Sequence, residues 1–401
     1  MKAGWRTKPL GELCEFQRGL TYAKGDEVDV SENVVLRATN IDLETNLLNF
    51  DELKYISGRV VVPESKKVRK ESLMVCTASG SKSHLGKVAY IDHDYGYAFG
   101  GFMGMITPND QIVPKYLFHL LTSDAYKHFI RDLSDGANIN NLKFDDLKRF
   151  RVPHPDPPEQ RRIVGILDEA FAGIATAKAN TQKNLLNARA IFESHLESVF
   201  AKRGEGWVEK RLGDLAQINY GYTKSAVTEE VGPKFLRITD IQENYVDWSH
   251  VPYCPIEESD YRKYRLANGD IVFARTGATT GKSYLVIDPP QAVFASYLIR
   301  VRLSKEDLLP RFVNLFFQTH SYGESIRAGV SGSAQSGFNA TKLGELIVPF
   351  PGALKEQRSI VAKLEKLTGE TQRLATLYER KLAALEELKK SLLHQAFNGE
   401  L

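Results

Sequence analysis

The stretch RTGATTGKS, residues 275–283, has the residue types of a phosphate-binding loop, whose backbone N–H groups and lysine would hold a nucleotide. Such a loop has the form GxxxxGK, whereas only three residues separate Gly277 from Gly281. Thr276 stands where the full-length loop needs its first glycine. The composition therefore fits a nucleotide site, but the spacing favours a loop between two strands.

Other residues that could support catalytic or metal chemistry do not form the required patterns. The nine histidines show no HExxH motif or i, i+4 pairing, and Cys14, Cys76 and Cys254 stand alone. Residues 288–290, DPP, match part of an amino-methyltransferase motif, but Gln291 occupies the place of its stacking aromatic residue. The sequence therefore predicts neither a metal site nor a catalytic site.

The segments that would position such residues occur twice in the chain. LGEL at Leu10 returns as LGDL at Leu212, and LRATNI at Leu36 returns as LRITDI at Leu236. EQRRIV, beginning at 159, likewise returns as EQRSIV, beginning at 356. The landmarks keep their order, which indicates two tandem copies of one fold. We call them the first repeat (1–202) and the second repeat (203–401).

The opening stretch has a counterpart in the first repeat, CTASGSKSHLGKVAY at residues 76–90. Five residues separate Gly80 from Gly86 there, against three in the second repeat. A phosphate loop would not tolerate this change in length, because its N–H groups must surround the same anion. The flanking segments alternate like strands. Both copies are therefore predicted to be hairpin tips, which we call the tip loops (residues 77–86 and 275–281).

A second polar loop precedes each long helix, SDGANINNLK at residues 134–143 and SGSAQSGFNATK at residues 331–342. We call these the amide loops. Hydroxyl and cationic side chains can contact phosphates, and Asn or Gln can pair with adenine, although a solvated turn is the alternative for any one residue. The predicted DNA-binding residues are Ser81, Lys82, Ser83, His84, Lys87, Asn138, Asn140 and Asn141 in the first repeat, and Arg275, Thr276, Thr279, Thr280, Lys282, Gln335, Ser336 and Asn339 in the second.

Each repeat ends in a long helical pattern that follows a proline-bearing stop. Steps of four and three residues predict a coiled-coil seam. The seam of the first helix has small or polar residues where the seam of the second has leucines, which favours packing of the two helices on each other. The predicted positions are Ile163, Leu167, Ala170, Ile174, Ala177, Thr181, Asn184, Ala188, Ile191 and His195, then Ile360, Leu364, Leu367, Thr371, Leu374, Tyr378, Lys381, Leu385, Leu388 and Leu392.

The composition limits the class of protein. With 42% hydrophobic and 26% charged residues over 401 positions, the chain is expected to form at least two ordinary globular domains. It has no apolar run long enough to span a membrane, and its isolated cysteines suit a reducing cytoplasm, which is the expected location. The net charge of +3 leaves nucleic-acid binding open.

The order of these landmarks resembles that of the specificity subunit of type I restriction-modification systems. The resemblance covers the whole chain and rests on the LGEL and LGDL starts, the GATTGK tip, and the PPEQRRIV and LKEQRSIV entries to the long helices. It implies an α+β fold in which two tandem mixed α/β target recognition domains are separated and followed by long helices that pair as an antiparallel coiled coil. The expected segments are target recognition domains at 1–157 and 203–354, and helices at 158–202 and 355–401.

The family implies that each recognition domain reads one half of a bipartite, asymmetric DNA target while the helices set the gap. The subunit itself would be non-catalytic and hold no cofactor. It would dock two methyltransferase subunits, which bind S-adenosylmethionine, and the assembly would recruit restriction subunits driven by ATP and Mg²⁺. Candidate contacts with the methyltransferase subunits lie on the helices at Leu185, Phe192, Leu377 and Leu382.

Two other classes of function remain open at this point. The duplicated domains could form a DNA-free scaffold that binds two proteins, and a salt series would separate this from DNA binding because phosphate contacts make affinity steeply salt-dependent. A self-contained methyltransferase or NTPase built around GATTGK would instead retain its cofactor on the isolated chain.

Overall fold

The computed structural model describes residues 4–81, 84–135, 141–242, 245–304, 306–331 and 338–401. In the first repeat the helices are α1 (Leu10–Leu13), α2 (Pro114–Thr122), α3 (Asp124–Asp135), α4 (Phe144–Leu147) and α5 (Pro157–Lys202). The strands are β1 (Arg6–Pro9), β2 (Cys14–Arg18), β3 (Glu27–Val28), β4 (Asn33–Leu36), β5 (Lys54–Ile56), β6 (Leu73–Cys76), β7 (Val88–Tyr90), β8 (Ala98–Phe99), β9 (Met103–Pro108) and β10 (Arg151–His154).

The second repeat has the same order of elements, with one helix added. Its helices are α6 (Leu212–Leu215), α7 (Glu258–Tyr264), α8 (Pro310–Phe316), α9 (His320–Ser331), α10 (Ala340–Glu345) and α11 (Leu354–Asn398). Its strands are β11 (Trp207–Arg211), β12 (Ala216–Tyr220), β13 (Lys234–Leu236), β14 (Ile241–Gln242), β15 (Tyr245–Val246), β16 (Ile271–Ala274), β17 (Ser283–Leu285), β18 (Ala292–Phe294), β19 (Leu298–Leu303) and β20 (Ile347–Pro351).

A four-stranded antiparallel sheet carries the tip loop in each repeat. Its strand order is β2-β9-β6-β7 in the first repeat and β12-β19-β16-β17 in the second. The tip loops join β6 to β7 and β16 to β17, pairs that are antiparallel with Leu73 opposite Tyr90 and Ile271 opposite Leu285. The predicted strand flanks are thus confirmed. The central strands are apolar on both faces because helices or a second small sheet cover each side, as the buried runs LMVC and IVFA show.

The chain folds into two units that do not coincide with the four predicted segments. Unit 1 comprises 1–182 and 380–401, and unit 2 comprises 183–379. Each unit therefore takes one half of α5 and one half of α11.

The two long helices pair antiparallel within each unit. In unit 1, Leu167 lies in the same buried cluster as Leu393, while Lys178 contacts Glu386 at 2.8 Å. In unit 2 the buried cluster that contains Leu196 and Phe200 from α5 also contains Val361 and Leu364 from α11, and Arg189 contacts Glu379 at 3.3 Å. The prediction that the helices pack on each other is confirmed.

The register of the helix seam differs from the predicted heptads. Buried positions follow the period of about 3.6 residues of a straight α-helix, and a strict heptad step falls behind it by about 20° per heptad. The predicted seam was therefore wrong at six positions, which are exposed: Asn184, Ile191, His195, Leu374, Lys381 and Leu388. Their places in the seam are taken by neighbours one residue further along, such as Leu185, Phe192, Leu196, Ala375 and Lys389, which are half-buried or buried.

A buried glutamine attaches each long helix to its globular domain. Gln160 is fully buried; its Oε1 accepts from the Val113 N–H at 2.7 Å, and its Nε2 donates to the Pro155 carbonyl at 2.9 Å. Gln357, also fully buried, accepts from the Leu309 N–H at 2.9 Å and donates to the Pro351 carbonyl at 2.8 Å. These bonds explain the glutamine of the repeated Glu-Gln-Arg, because a buried amide must have its partners.

Candidate nucleic-acid interface

The Gly-Lys pair at the end of the first tip loop is held by the interior of the domain. Gly86 has a φ of 76°, and a Cβ there would come within 2.7 Å of the Ile130 side chain. Its carbonyl accepts a hydrogen bond at 3.0 Å from the hydroxyl of Tyr126, which is buried. The side chain of Lys87 is buried and donates to the Ile41 carbonyl oxygen. Burial lowers the pKa of Lys87.

The second repeat builds the same arrangement from equivalent residues. Gly281 has a φ of 97°, and its carbonyl accepts at 2.9 Å from the hydroxyl of Tyr322. Lys282 donates to the Ile241 carbonyl at 2.9 Å. We call this four-residue arrangement the glycine-lysine staple: Tyr126, Gly86, Lys87 and Ile41 in the first repeat, and Tyr322, Gly281, Lys282 and Ile241 in the second.

The staple changes the assignment of both lysines. Lys87 and Lys282 were predicted to contact DNA, but each ammonium is directed into its own domain and engaged by a backbone carbonyl. Lys87 is only 9% exposed, so it cannot reach a phosphate without breaking the staple. Both lysines therefore have a structural role, and we expect that neither contacts a phosphate. The bond from Lys282 also argues against a nucleotide site at GATTGK, because the ammonium that would bind a phosphate donates to the Ile241 carbonyl instead.

Arg275 lies at the base of the second tip loop. Its Nε donates to the Ser296 carbonyl at 3.0 Å, and its guanidinium lies 5.0 Å from the centre of the Tyr220 ring. Among the described residues, none accepts a hydrogen bond from its two terminal amino groups. Arg275 is half-buried, so those groups remain available to a partner at the surface.

The other tip residues differ in exposure. Ser81 and Thr279 are exposed, whereas His84, Thr276 and Thr280 are half-buried. The Thr280 hydroxyl is used within the loop, where it donates to the Gly277 carbonyl at 2.8 Å. The Nδ1 atom of His84 is buried without a hydrogen-bond partner in the described part of the chain. Lys82 and Ser83 lie outside the described residues.

The amide loops are only partly described. Asn141 is exposed and Asn339 is exposed, but the Asn339 Oδ1 caps α10 by accepting from the Lys342 N–H at 2.8 Å. Its side chain thus has a structural use in addition to the predicted DNA contact. The predicted residues Asn138, Asn140, Gln335 and Ser336 lie outside the described residues.

The structure brings the tip loop and the amide loop together in each repeat. Leu142 donates its N–H to the Thr77 carbonyl at 2.6 Å, and Asn141 pairs with Ala78 as an isolated β-bridge. At the equivalent place in the second repeat, Phe338 donates its N–H to the Arg275 carbonyl at 2.9 Å. The two loops therefore form one polar edge per domain, which we call the reading edge.

The sequence pattern of a known family matches both repeats. The family described as "Type I restriction modification DNA specificity domain" matches residues 2–187 and again residues 204–382. This chain belongs to that family. It therefore has the role of a DNA-recognising specificity subunit, which is the non-catalytic subunit of type I restriction-modification systems.

Individual relatives agree with the family over the full length. The chain is 28% identical to the EcoKI specificity subunit of Escherichia coli (strain K12), over 99% of this chain and 89% of that protein. It is 27% identical to the StySPI specificity subunit of Salmonella potsdam, with the same two coverages of 99% and 89%.

Two solved structures share the fold. One, from work on the structural basis of complex assembly and conformational transition of the type I R-M system, superposes with a TM-score of 0.80 at 20% identity and covers 100% of this chain and 99% of its own. The HsdS subunit from Thermoanaerobacter tengcongensis gives a TM-score of 0.64 at 19% identity and covers 100% of this chain and 98% of its own. The predicted α+β architecture with tandem domains and long helices is confirmed.

The four helix residues predicted to contact partners of this specificity subunit differ in accessibility. Leu377 is 57% exposed. Leu185 and Leu382 are half-buried along the seam side of their helices, and Phe192 packs against the buried cluster of unit 2. Leu186 and Leu374, which were not among these candidates, are 66% and 39% exposed. The heptad count had placed Leu374 on the seam, whereas a period of about 3.6 residues places it outside.

The described residues offer few groups that could support metal or thiol chemistry. No group of three or more His, Cys, Asp or Glu side chains that could hold a metal ion occurs among them. The three cysteines are buried free thiols, and burial raises the pKa of Cys76 to about 11. No helix in the described ranges is long and apolar enough to cross a membrane.

Proposed function

We propose that the two recognition domains of this specificity subunit read the two unlike halves of a bipartite, asymmetric DNA sequence. The observation that carries this proposal is one scaffold with two different sets of surface residues. The glycine-lysine staple and the bond between tip loop and amide loop recur in both repeats. The residue at the base of the tip, however, is Thr77 in one and Arg275 in the other. Similar scaffolds with different contact groups suit different half-sites.

The reading edges supply the contact groups in this proposal. Ser81 and Asn141 serve the first half-site, and Arg275 and Thr279 serve the second. Amide and hydroxyl groups can read base edges, while the guanidinium can pair with guanine or a phosphate. The undescribed residues Lys82, Ser83, Asn138, Asn140, Gln335 and Ser336 remain proposed contacts because they lie within the same loops.

The long helices would set the gap between the half-sites and dock the partner subunits. Two methyltransferase subunits that bind S-adenosylmethionine would modify an adenine in each half-site, and restriction subunits driven by ATP and Mg²⁺ would join them in the cytoplasm. Leu377 is the best supported of the four predicted docking residues, because its side chain is exposed whereas those of Leu185, Phe192 and Leu382 are half-buried. The small net charge of +3 supports weak DNA binding by the subunit alone.

Mapping methylated adenines in cells that express the assembled complex tests this function. The wild type should modify one bipartite sequence with a fixed gap. Asn141→Ala should relax the preference in one half-site and Thr279→Ala in the other, each by about 1–3 kcal/mol for a lost base contact. Relaxation of both half-sites by either variant would contradict independent recognition domains. Binding whose affinity does not change with salt would favour a DNA-free scaffold instead.

A further inference from the structure

An aromatic residue projects from the same tight turn in both repeats. The turn precedes β9 or β19, and its closing bond runs from the Met103 N–H to the Gly100 carbonyl at 2.8 Å, or from the Leu298 N–H to the Ala295 carbonyl at 2.9 Å. Phe102 and Tyr297 occupy the third position of these turns. Phe102 is 75% exposed and Tyr297 is 60% exposed.

The backbone beneath each ring is fixed although the ring itself is exposed. The Phe102 carbonyl accepts from the Thr77 N–H and the Thr77 hydroxyl, both at 2.9 Å, and from the Ala78 N–H at 3.1 Å. The Tyr297 carbonyl accepts from the Arg275 N–H at 3.2 Å, and Arg275 Nε holds the preceding Ser296 carbonyl. The backbone that carries each ring would therefore need no reordering when the ring meets a partner, and only the side-chain torsions would lose freedom.

These turns belong to the reading edges. The residues that hold Phe102, Thr77 and Ala78, are also the residues that pair with the amide loop through Leu142 and Asn141. Arg275 connects Tyr297 with the second amide loop in the same way, through the bond from Phe338. Each ring is therefore attached where the two polar loops of its domain meet.

A single exposed aromatic side chain is ordinary on a protein surface. Two at equivalent turns are harder to attribute to chance, since the residues beside them differ: Gly101 precedes Phe102, and Ser296 precedes Tyr297. Aromatic rings at a polar, DNA-facing edge can contact the thymine methyl group or insert against a base step, and neither contact involves a phosphate.

We propose that Phe102 and Tyr297 are apolar base-contacting residues, each placing its ring against bases of one half-site. This inference rests on the proposed function and adds to it a contact that polar and charged groups do not supply. The Tyr297 hydroxyl could also pair with a base edge, so the two residues would make related but unequal contacts.

The test uses the full chain assembled with its methyltransferase subunits and duplexes that carry both half-sites, or one half-site scrambled. Phe102→Ala should weaken binding of the intact duplex roughly tenfold to hundredfold, the range of one lost aromatic contact with a base. On the duplex whose first half-site is scrambled, Phe102→Ala and the wild type should have the same affinity. The slope of log affinity against log salt should stay at the wild-type value, because no phosphate contact is lost.

Tyr297→Ala is the matched variant and should show the same behaviour for the other half-site. Phe102→Leu, which keeps an apolar group of similar size, should lose less affinity than Phe102→Ala, and it also serves if the alanine variant does not fold. Val61→Ala, at an exposed apolar residue on another loop, should leave affinity unchanged.

Wild-type affinity and methylation in both alanine variants would overturn the inference. A variant that reduced the slope of log affinity against log salt, or that weakened recognition of both half-sites equally, would overturn it too. A wild-type complex with no sequence preference at all would instead remove the proposed function on which the inference rests.

Discussion

The hydroxyl of Tyr322 donates a hydrogen bond to the carbonyl oxygen of Gly281 at 2.9 Å, and Tyr126 makes the same bond to Gly86 at 3.0 Å. Both tyrosines are almost fully buried, at 3% and 2% exposure. In each repeat this bond joins the end of the tip loop to the helix that follows α2 or α8. The reading edge is thereby fixed to the domain core at a defined point.

Removal of either tyrosine hydroxyl should reduce stability without changing the sequence that is read. Tyr126→Phe leaves the buried Gly86 carbonyl, and Tyr322→Phe the partly buried Gly281 carbonyl, with one partner fewer. The loss costs about 1 kcal/mol, up to roughly 3 kcal/mol where the carbonyl is buried and no other donor replaces the hydroxyl. Denaturant unfolding measures the loss, and methylation mapping should return the wild-type target. A changed half-site in Tyr322→Phe would mean that the bond sets specificity directly.

The two staple lysines should affect folding rather than phosphate contact. Lys87→Met and Lys282→Met keep most of the side-chain length but leave the Ile41 or Ile241 carbonyl without its ammonium donor. We expect lower stability and an unchanged slope of log affinity against log salt, since a lost phosphate contact would reduce that slope by about 1. Arg275→Met, which removes the available guanidinium groups, is the contrasting variant. A reduced slope in Lys282→Met would restore that lysine to the DNA contacts.

A buried histidine should make the stability of the first repeat depend on pH. His119 is 4% exposed, its Nε2 lies 2.8 Å from Asp168 Oδ1, and Lys115 and Lys389 add positive charge nearby. Burial lowers the pKa of His119 below its usual 6.5 despite the raising effect of Asp168. The stabilising contribution is therefore present above about pH 6.5 and lost as pH falls through the lower folded-state pKa.

His119→Leu is the matched control, because Leu315 stands at the equivalent position of the second repeat. Thermal unfolding between pH 7.5 and 5.5 should show a larger fall in Tm for the wild type than for the variant. Burial opposes ionisation of Asp168, but its bonds from Lys115 and His119 leave its pKa below 3.8, so that carboxylate does not titrate in this range. Equal slopes in the two proteins would assign the acid sensitivity to other groups.

The duplication, the hairpins and the long helices could be predicted from sequence because each leaves a local pattern. Repeated sequence segments and alternating apolar residues identify β6, β7, β16 and β17 without any tertiary information. In α5 the heptad count failed at Asn184, Ile191 and His195, although Ala188 is buried as predicted, because the error of a slightly wrong period grows with helix length. The difference between periods of 3.5 and 3.6 is invisible over a short helix.

The assignment of individual side chains required the tertiary structure. The sequence Gly-Lys is the same whether the lysine binds a phosphate or a backbone carbonyl. Only the position of Ile41 or Ile241 in the fold shows which role the lysine has. The exposed aromatic turns were missed although FGGFMGM (99–105) and FASYLIR (294–300) carry an aromatic residue at the same place. From the sequence alone Phe102 would be expected in the core, and its exposure is evident only from the structure of the turn that holds it.

We propose that the paired helices separate two independent recognition domains on one DNA duplex. The most direct test of this role is an insertion of seven helical residues after 182 in α5 and seven after 379 in α11, the points where the two units divide. Seven residues add about 10.5 Å of helix, or about three base pairs at roughly 3.4 Å each. Methylation mapping should then return both original half-sites with a gap longer by about three base pairs. An unchanged gap, with both half-sites still methylated, would show that the helices do not set the separation.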